Sequence, residues 1–431
     1  MNYGQCQDYL QQILASGVKF GLENVRTVLE ALGQPQQKYP SVLVAGTNGK
    51  GSICAMLASI LSLHGLRVGL YTSPHLVRVE ERIRVGDDPI PTQTFCRLLT
   101  FLRAMVDRLV AEGKLETPPT YFEMLTCLAF LYFERRDVDM AVLEVGMGGR
   151  LDATNVVTPV VTVVSTVSRD HEEFLGRTLG QIASEKAGII KPGVPVVCGV
   201  SKGKACQVIR KKARDLKAPW LGVFNEKAGF QARRMSGRYS FSYRLAGQNF
   251  VYTPSLAGKH QGRNAAVAIA LALLLNRTWK PLEKGKIIQG IRRTRWPGRL
   301  EVARHQPLVI LDGAHNEEGA RALRAYARNF LPRPLTLVFG IMKDKKIKKV
   351  AELLFPLAEA IFLTSFPYRR AASPEQIRAE TRGIGQEAVL EPETRKAIQK
   401  ALELTPRRGT VLVTGSLFLV GEAKRLFPEW S

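Results

Sequence analysis

Short apolar, β-branched runs recur along the chain and alternate with stretches whose apolar positions fall at helical spacing. Residues 40–45 (PSVLVA) form such a run, and residues 50–64 (KGSICAMLASILSLH) follow with helical spacing. Residues 67–71, 140–145, 160–166 and 194–200 are further buried-strand candidates. This alternation predicts a mostly parallel sheet with helices on its faces. Between residues 230 and 252 the pattern changes to alternating polar and aromatic positions, which predicts a hairpin with one wet face. Residues 295–299 (RWPGR) are turn-like and read as a hinge. Beyond them the strand–helix alternation restarts at 308–312, 335–340, 360–364 and 410–414. The expectation is an α/β protein of two units. A parallel-sheet domain would span residues 1–297, and a smaller Rossmann-like α/β domain residues 298–431. A length of 431 residues suits two cores better than one.

Composition narrows the class. Hydrophobic content of 45% and charged content of 23% are those of a soluble globular protein. Residues 1–20 carry Gln and Asp where a signal peptide needs an apolar run. The longest apolar run, residues 265–275, is shorter than the roughly 20 residues that span a bilayer, so a buried helix is expected there. The 6 cysteines are scattered without metal spacing, which points to reduced, mostly buried thiols in a cytoplasmic protein. A formal charge of +24 raises nucleic acid as a partner. The basic residues are nevertheless dispersed, with local runs only at 210–217 and 343–349 and no interleaved aromatics. A solvated basic face that attracts anionic small molecules is the preferred reading, and nucleic acid the minority one.

The sharpest local signal is Gly46-Thr47-Asn48-Gly49-Lys50-Gly51-Ser52, between a strand and a helix. Glycines let successive N–H groups converge on phosphate oxygens, and the following helix adds the positive end of its dipole. Lys50 supplies a mobile charge for the outer phosphates, and Thr47 or Ser52 a hydroxyl for phosphate or Mg²⁺. The strict G-x-x-x-x-G-K-[ST] pattern is not met, because Val44 stands at the first glycine position and Gly51 intervenes before the hydroxyl. Glu144 ends one strand candidate and Asp170-His171 follow another, so both reach the same sheet edge as the phosphate loop. A carboxylate there can hold Mg²⁺, and His171 beside it becomes a candidate metal ligand.

Together these pieces resemble the folylpolyglutamate synthase/dihydrofolate synthase family of the Mur ligase superfamily. The matching segments are GTNGKGS (46–52), YTSPHL (71–76), ERI (81–83), YFE (121–123), LEVGMGGRLDATN (143–155) and DHEEFLG (170–176). They continue through EKAGI (185–189), HQGRN (260–264), WPGRLE (296–301), DGAHN (312–316) and TGSLFLVGEA (414–423). The resemblance implies a Mur-ligase-like first domain and a second domain that closes over ATP and binds glutamate. It implies ATP-dependent ligation of L-glutamate to folate or dihydropteroate through an acyl phosphate. The expected form is a monomer that engages small molecules rather than membranes. The resemblance also implies roles for matching residues. Ser73, Glu144 and His171 would hold Mg²⁺, and Lys186 would be carbamylated. Lys50, His171 and Lys186 would form the catalytic group. Asn264, Arg299, Asp312, His315 and Asn316 would join the loop at ATP, and Thr120, Tyr121, Phe122, Glu123, Leu151, Asp152 and Ala153 would contact the pterin or folate.

Local alternatives stay open for several of these. Ser73 can cap the turn at Pro74, Lys186 can be an ordinary surface lysine, Asp312 a turn residue, Arg299 a hinge brace, and Tyr121 and Phe122 core. Two departures from the family pattern, Glu317 after DGAHN and Gly262-Arg263 before Asn264, remove no ligating group. A cell-wall Mur ligase is the nearer rival. Only about 40 residues precede the first strand, too few for the extra UDP-binding domain such enzymes carry. A nucleic-acid-binding P-loop protein is the rival of another class.

Overall fold

The structure, a computed structural model, describes residues 1–15, 17, 21–224 and 229–427. The first sheet contains β1 (Ser41–Ala45), β2 (Val68–Tyr71), β3 (Ile83–Val85), β4 (Asp88–Pro89), β5 (Met140–Glu144), β6 (Val161–Val164), β7 (Val196–Cys198) and β8 (Trp220–Gly222). Their spatial order is β4-β3-β2-β5-β1-β6-β7-β8, parallel except for β3 and β4 at one edge. β1, β5 and β6 are buried at every position, as strands covered on both faces must be. Alternate residues of β1 serve different cores. Leu43 and Ala45 face one cluster with the helix Tyr121–Arg135, while Val42 and Val44 face another with the helices Lys50–Leu63 and Lys259–Thr278. The run 265–275 lies within that last helix and is almost wholly buried, as expected.

The alternating segment departs from the expected hairpin. It forms three antiparallel strands, β9 (Gly229–Met235), β10 (Arg238–Leu245) and β11 (Gln248–Tyr252). The second turn is Ala246-Gly247, with φ of 50° and 78°. Such tight hairpin turns favour Asn-Gly or Asp-Gly, so alanine hid this one. One face is wet as predicted, and Phe241, Tyr243, Phe250 and Tyr252 are buried on the other.

The second sheet contains β12 (Glu301–His305), β13 (Leu308–Asp312), β14 (Leu335–Phe339), β15 (Ala360–Ser365), β16 (Ala388–Glu393) and β17 (Thr410–Thr414). Its order is β12-β13-β17-β14-β15-β16, with only β12 antiparallel. The turn at 295–299 joins the two sheets. Gly298 and Leu300 adopt positive φ there, and the segment is pinned by Gly313 N donating to Gly298 O at 3.0 Å. The carboxyl ends of β1, β2, β5 and β6 lead into loops that line one cleft, as do those of β13, β14 and β17. Ligand crevices in parallel α/β sheets lie at these strand ends. Among the described residues, no helix is long and apolar enough to cross a membrane.

Candidate active site

The loop at 46–52 turns at the end of β1 because Gly46 (φ 150°) and Gly49 (φ 84°) take conformations that side chains disfavour. It is strapped to the segment after β6. Thr47 N donates to Thr166 O at 2.9 Å, Asn48 N to Thr166 Oγ1 at 3.0 Å, and Ser165 Oγ to Asn48 O at 2.8 Å. Lys50 Nζ donates to Gly46 O (3.1 Å) and Thr47 O (3.3 Å), which holds its ammonium over the loop. Ser52 is buried and accepts from Gln261 Nε2 at 3.2 Å, while Asn264 Nδ2 donates to Gln261 Oε1 at 3.0 Å. A Cβ at position 49 would collide with Asn264 Oδ1, so Asn264 approaches the loop only because Gly49 has no side chain.

Glu144 lies beside the loop at the end of β5, 5% exposed. Burial raises its pKa, and the nearby Lys50 charge opposes that rise. Ser73 N donates to Glu144 Oε2 at 3.1 Å, so the turn at Ser73 and the acidic strand end are one unit. His171 adopts a left-handed conformation (φ 52°), and burial lowers its pKa to about 4, so its imidazole is neutral at neutral pH. Lys186, on the helix Leu179–Ala187, is only 3% exposed and lines the cleft, contrary to an ordinary surface lysine. Burial, assisted by the Lys50 charge, lowers its pKa to about 7.

The second sheet supplies the opposite wall. Arg299, Asp312 and His315 line the cleft, and Asn316 borders it. Asp312 is both hinge brace and cleft residue, because it accepts from Leu300 N (2.9 Å) and Ala314 N (3.0 Å). Asn316 caps the helix Glu317–Phe330, with Oδ1 accepting from Gly319 N at 2.9 Å. Its Nδ2 also donates to Asn48 Oδ1 (3.0 Å) and Asp170 Oδ2 (3.1 Å), which ties the second sheet to the phosphate loop.

Residues expected at the pterin or folate line the same cleft, yet several have local tasks. Thr120 and Glu123 form a capping box: Thr120 N donates to Glu123 Oε2 at 2.7 Å, and Glu123 N to Thr120 Oγ1 at 3.4 Å. Asp152 organises its own loop by accepting from Met147 N (2.9 Å) and Thr154 N (3.1 Å). Leu151 and Ala153 follow that loop into the cleft. Tyr121 and Phe122 are half-buried, with Phe122 5.8 Å from the Tyr71 ring. The Arg82 guanidinium lies 5.2 Å from the Tyr121 ring centroid.

Sequence reasoning assigned no role to Arg82, Asp170, Lys345 or the Tyr368–Phe418 stack, all of which line the cleft. The run at 343–349 is also no simple solvated face, since Lys345 is 10% exposed and ion-paired to Asp170 at 2.6 Å. No residue-type rule separates Lys345 from its lysine neighbours, so only the fold identifies it.

Residues 44–272 match the Mur ligase middle domain, and residues 298–417 the Mur ligase glutamate ligase domain. Folylpolyglutamate synthase of Lacticaseibacillus casei is 35% identical over 431 residues, covering 99% of this chain and 98% of that protein. The chain belongs to the folylpolyglutamate synthase/dihydrofolate synthase family. Another family member, the dihydrofolate synthase/folylpolyglutamate synthase of Bacillus subtilis, is 34% identical and covers 98% of each chain. Mycobacterium tuberculosis folylpolyglutamate synthase complexed with ADP and AMPPCP is 29% identical, with a TM-score of 0.90 over 99% of each chain. E. coli FolC in complex with DHPP and ADP is 28% identical, with a TM-score of 0.87 over 100% of this chain and 98% of that one. As a member of this Mur ligase family, the chain is an ATP-dependent ligase.

Proposed function

We infer that this ligase joins L-glutamate to the carboxylate of a folate, a dihydropteroate, or both, with ATP supplying the activation. The observation that carries the reading is the convergence of a phosphate loop, a buried acidic strand end and a second-sheet Arg/Asp pair on one cleft of about 890 Å³. We assign residues 1–297 to ATP and acceptor binding and residues 298–431 to closing over ATP and binding glutamate, divided at the turn that Asp312 pins. The cytoplasm is the proposed setting, in keeping with six free cysteines.

Phosphoryl transfer depends on positioning and charge neutralisation more than on a protein nucleophile. In this reading the loop N–H groups and Lys50 hold the triphosphate, while Asn264, Arg299, Asp312, His315 and Asn316 orient it from both walls. The acceptor carboxylate takes the γ-phosphoryl group. The glutamate amine then attacks the acyl phosphate, and phosphate leaves as the amide forms. Tyr121, Phe122 and Ala153 offer aromatic and apolar surface for a flat heterocycle, and Arg82 offers a cation. Thr120, Glu123 and Asp152 contribute mainly by holding that surface in place.

We place Ser73, Glu144 and His171 at a hard divalent cation, since Ser73 and Glu144 carry oxygen donors and His171 is neutral near pH 7. Mg²⁺ held there would neutralise charge on the phosphates. Lys186, with its pKa near 7, presents a substantial neutral-amine fraction at neutral pH. That amine can add to CO₂ and lose a proton, which converts a buried cation into an anionic carbamate.

The test is ADP release with ATP, Mg²⁺ and glutamate, comparing dihydropteroate with tetrahydrofolate as acceptor. Glutamate-dependent release with at least one acceptor is expected, and Lys50→Ala should abolish it. No glutamate-dependent release with either acceptor would overturn the assignment.

A further inference from the structure

The segment after β14 carries the basic run at 343–349, of which Lys345 lines the cleft without a role in the chemistry above. Its lysines are not equivalent. Lys346 is 49% exposed and meets Glu172 at 2.5 Å, and Lys349 is 56% exposed and meets Glu352 on its own helix at 3.0 Å. Lys345 is 10% exposed and its partner Asp170 9%, with Nζ donating to Oδ1 at 2.6 Å. The partners are 175 residues apart and come from the carboxyl ends of strands in different sheets. Two charges are costly to withdraw from water unless their remaining hydrogen-bonding capacity is filled. Here it is filled on the acid side. Asp170 Oδ2 accepts from Asn316 Nδ2 at 3.1 Å, and His315 Nε2 lies 3.7 Å from the same oxygen. The lysine side is braced too, because Lys343 N donates to Arg370 O at 2.8 Å and Met342 bridges Ala371. The network ends on the phosphate loop, where Asn316 Nδ2 also donates to Asn48 Oδ1.

We propose that Asp170 and Lys345 form a latch that holds the second sheet's loops over the phosphate loop, with Lys345 acting as a positioning residue for phosphoryl transfer. This rests on the ligase reading above. The phosphate loop belongs to the first sheet and can engage ATP whether or not the latch is made. Arg299, Asp312 and His315 meet the same nucleotide only when the two walls are held together. Losing the latch therefore lowers the fraction of ATP-bound enzyme that is aligned to react, which reduces kcat much more than it raises the KM for ATP.

The experiment uses the full chain and four variants: Lys345→Met, Lys345→Arg, Asp170→Asn and the Asp170→Asn/Lys345→Met double variant. Lys349→Met is the control from the same run and should match wild type. Lys345→Met is expected to lower kcat at least tenfold while the ATP KM changes less than threefold. Lys345→Arg should recover at least a third of wild-type kcat. The double variant should be no more than about twofold slower than the worse single variant, because both remove one interaction. Amide exchange with ATP analogue and Mg²⁺ bound, but no acceptor or glutamate, should be at least tenfold faster at residues 342–346 and 316 in Lys345→Met. That arm reads the latch without the chemistry. If exchange quickens while no variant or wild type shows glutamate-dependent turnover, the latch stands and the substrate assignment falls. The latch is overturned by unchanged exchange, by independent, multiplicative losses in the double variant, or by a loss confined to KM.

Discussion

Lys186 offers a quantitative test of the cleft's electrostatics. Its ammonium is withdrawn from water and faces the Lys50 charge, which brings its pKa from the ordinary lysine value of 10.5 to about 7. A displacement of that size disfavours the charged form by about 5 kcal/mol. The folded-state value lies below the unfolded one, so the unfolded chain binds more protons between pH 7 and 10.5. The cost of Lys186 is therefore full below pH 7 and fades as pH rises toward 10.5. Replacing it by methionine, of similar length and without charge, removes that cost. At pH 6 Lys186→Met should gain stability of order 5 kcal/mol over wild type, and at pH 9 about 2 kcal/mol. The difference of about 3 kcal/mol between the two pH values is the firmer number, because methionine's own packing cancels from it. Urea unfolding at both pH values, in bicarbonate-free buffer so that the amine stays unmodified, measures it with the m-value as a check on two-state behaviour. A stability gain that does not change between pH 6 and 9 would refute the argument. Activity should move the opposite way, with Lys186→Met inactive despite its greater stability.

Two further substitutions probe the loop and the acidic edge. Gly46→Ala places a Cβ on Ser165 Oγ and 3.1 Å from Thr166 N, at a φ of 150° that alanine avoids. It should cost about 1–3 kcal/mol of stability and weaken ATP binding at least tenfold by calorimetry. An ATP affinity within twofold of wild type would show that the loop tolerates another path. Glu144→Ala should raise the Mg²⁺ concentration for half-maximal ADP release at least tenfold, and a superimposable Mg²⁺ titration would remove Glu144 from the metal site.

The parallel strands buried on both faces were legible because that burial writes them as uninterrupted apolar runs. The sequence runs at 140–145 and 410–414 correspond almost residue for residue to β5 and β17. The strands without such runs were not. β3, β4, β8, β12 and β16 are short, edge-lying or partly exposed, so their neighbours rather than their own residues define them. At the site, the phosphate loop announced itself through glycine spacing, and Glu144 through its place at a strand end. Asp170 was placed at the same edge, but its pairing with Lys345 was not legible, since a lysine in a run and an acid before a histidine carry no mark of being buried together. Thr120 and Glu123 show the reverse case, where a segment matched through family resemblance also begins a helix.

The contact between Gly49 and Asn264 constrains how this family can vary. The helix bearing Asn264 lies more than 200 positions from the loop, yet the amide occupies the volume that any side chain at 49 would need. Neither position can drift alone. A larger residue at 49 needs a smaller one at 264 as well as tolerance of a φ of 84°, and that exchange surrenders the amide that we propose faces the nucleotide. The two sites should therefore be inherited as a pair, and a lineage that changed one would be expected to have changed how it holds ATP.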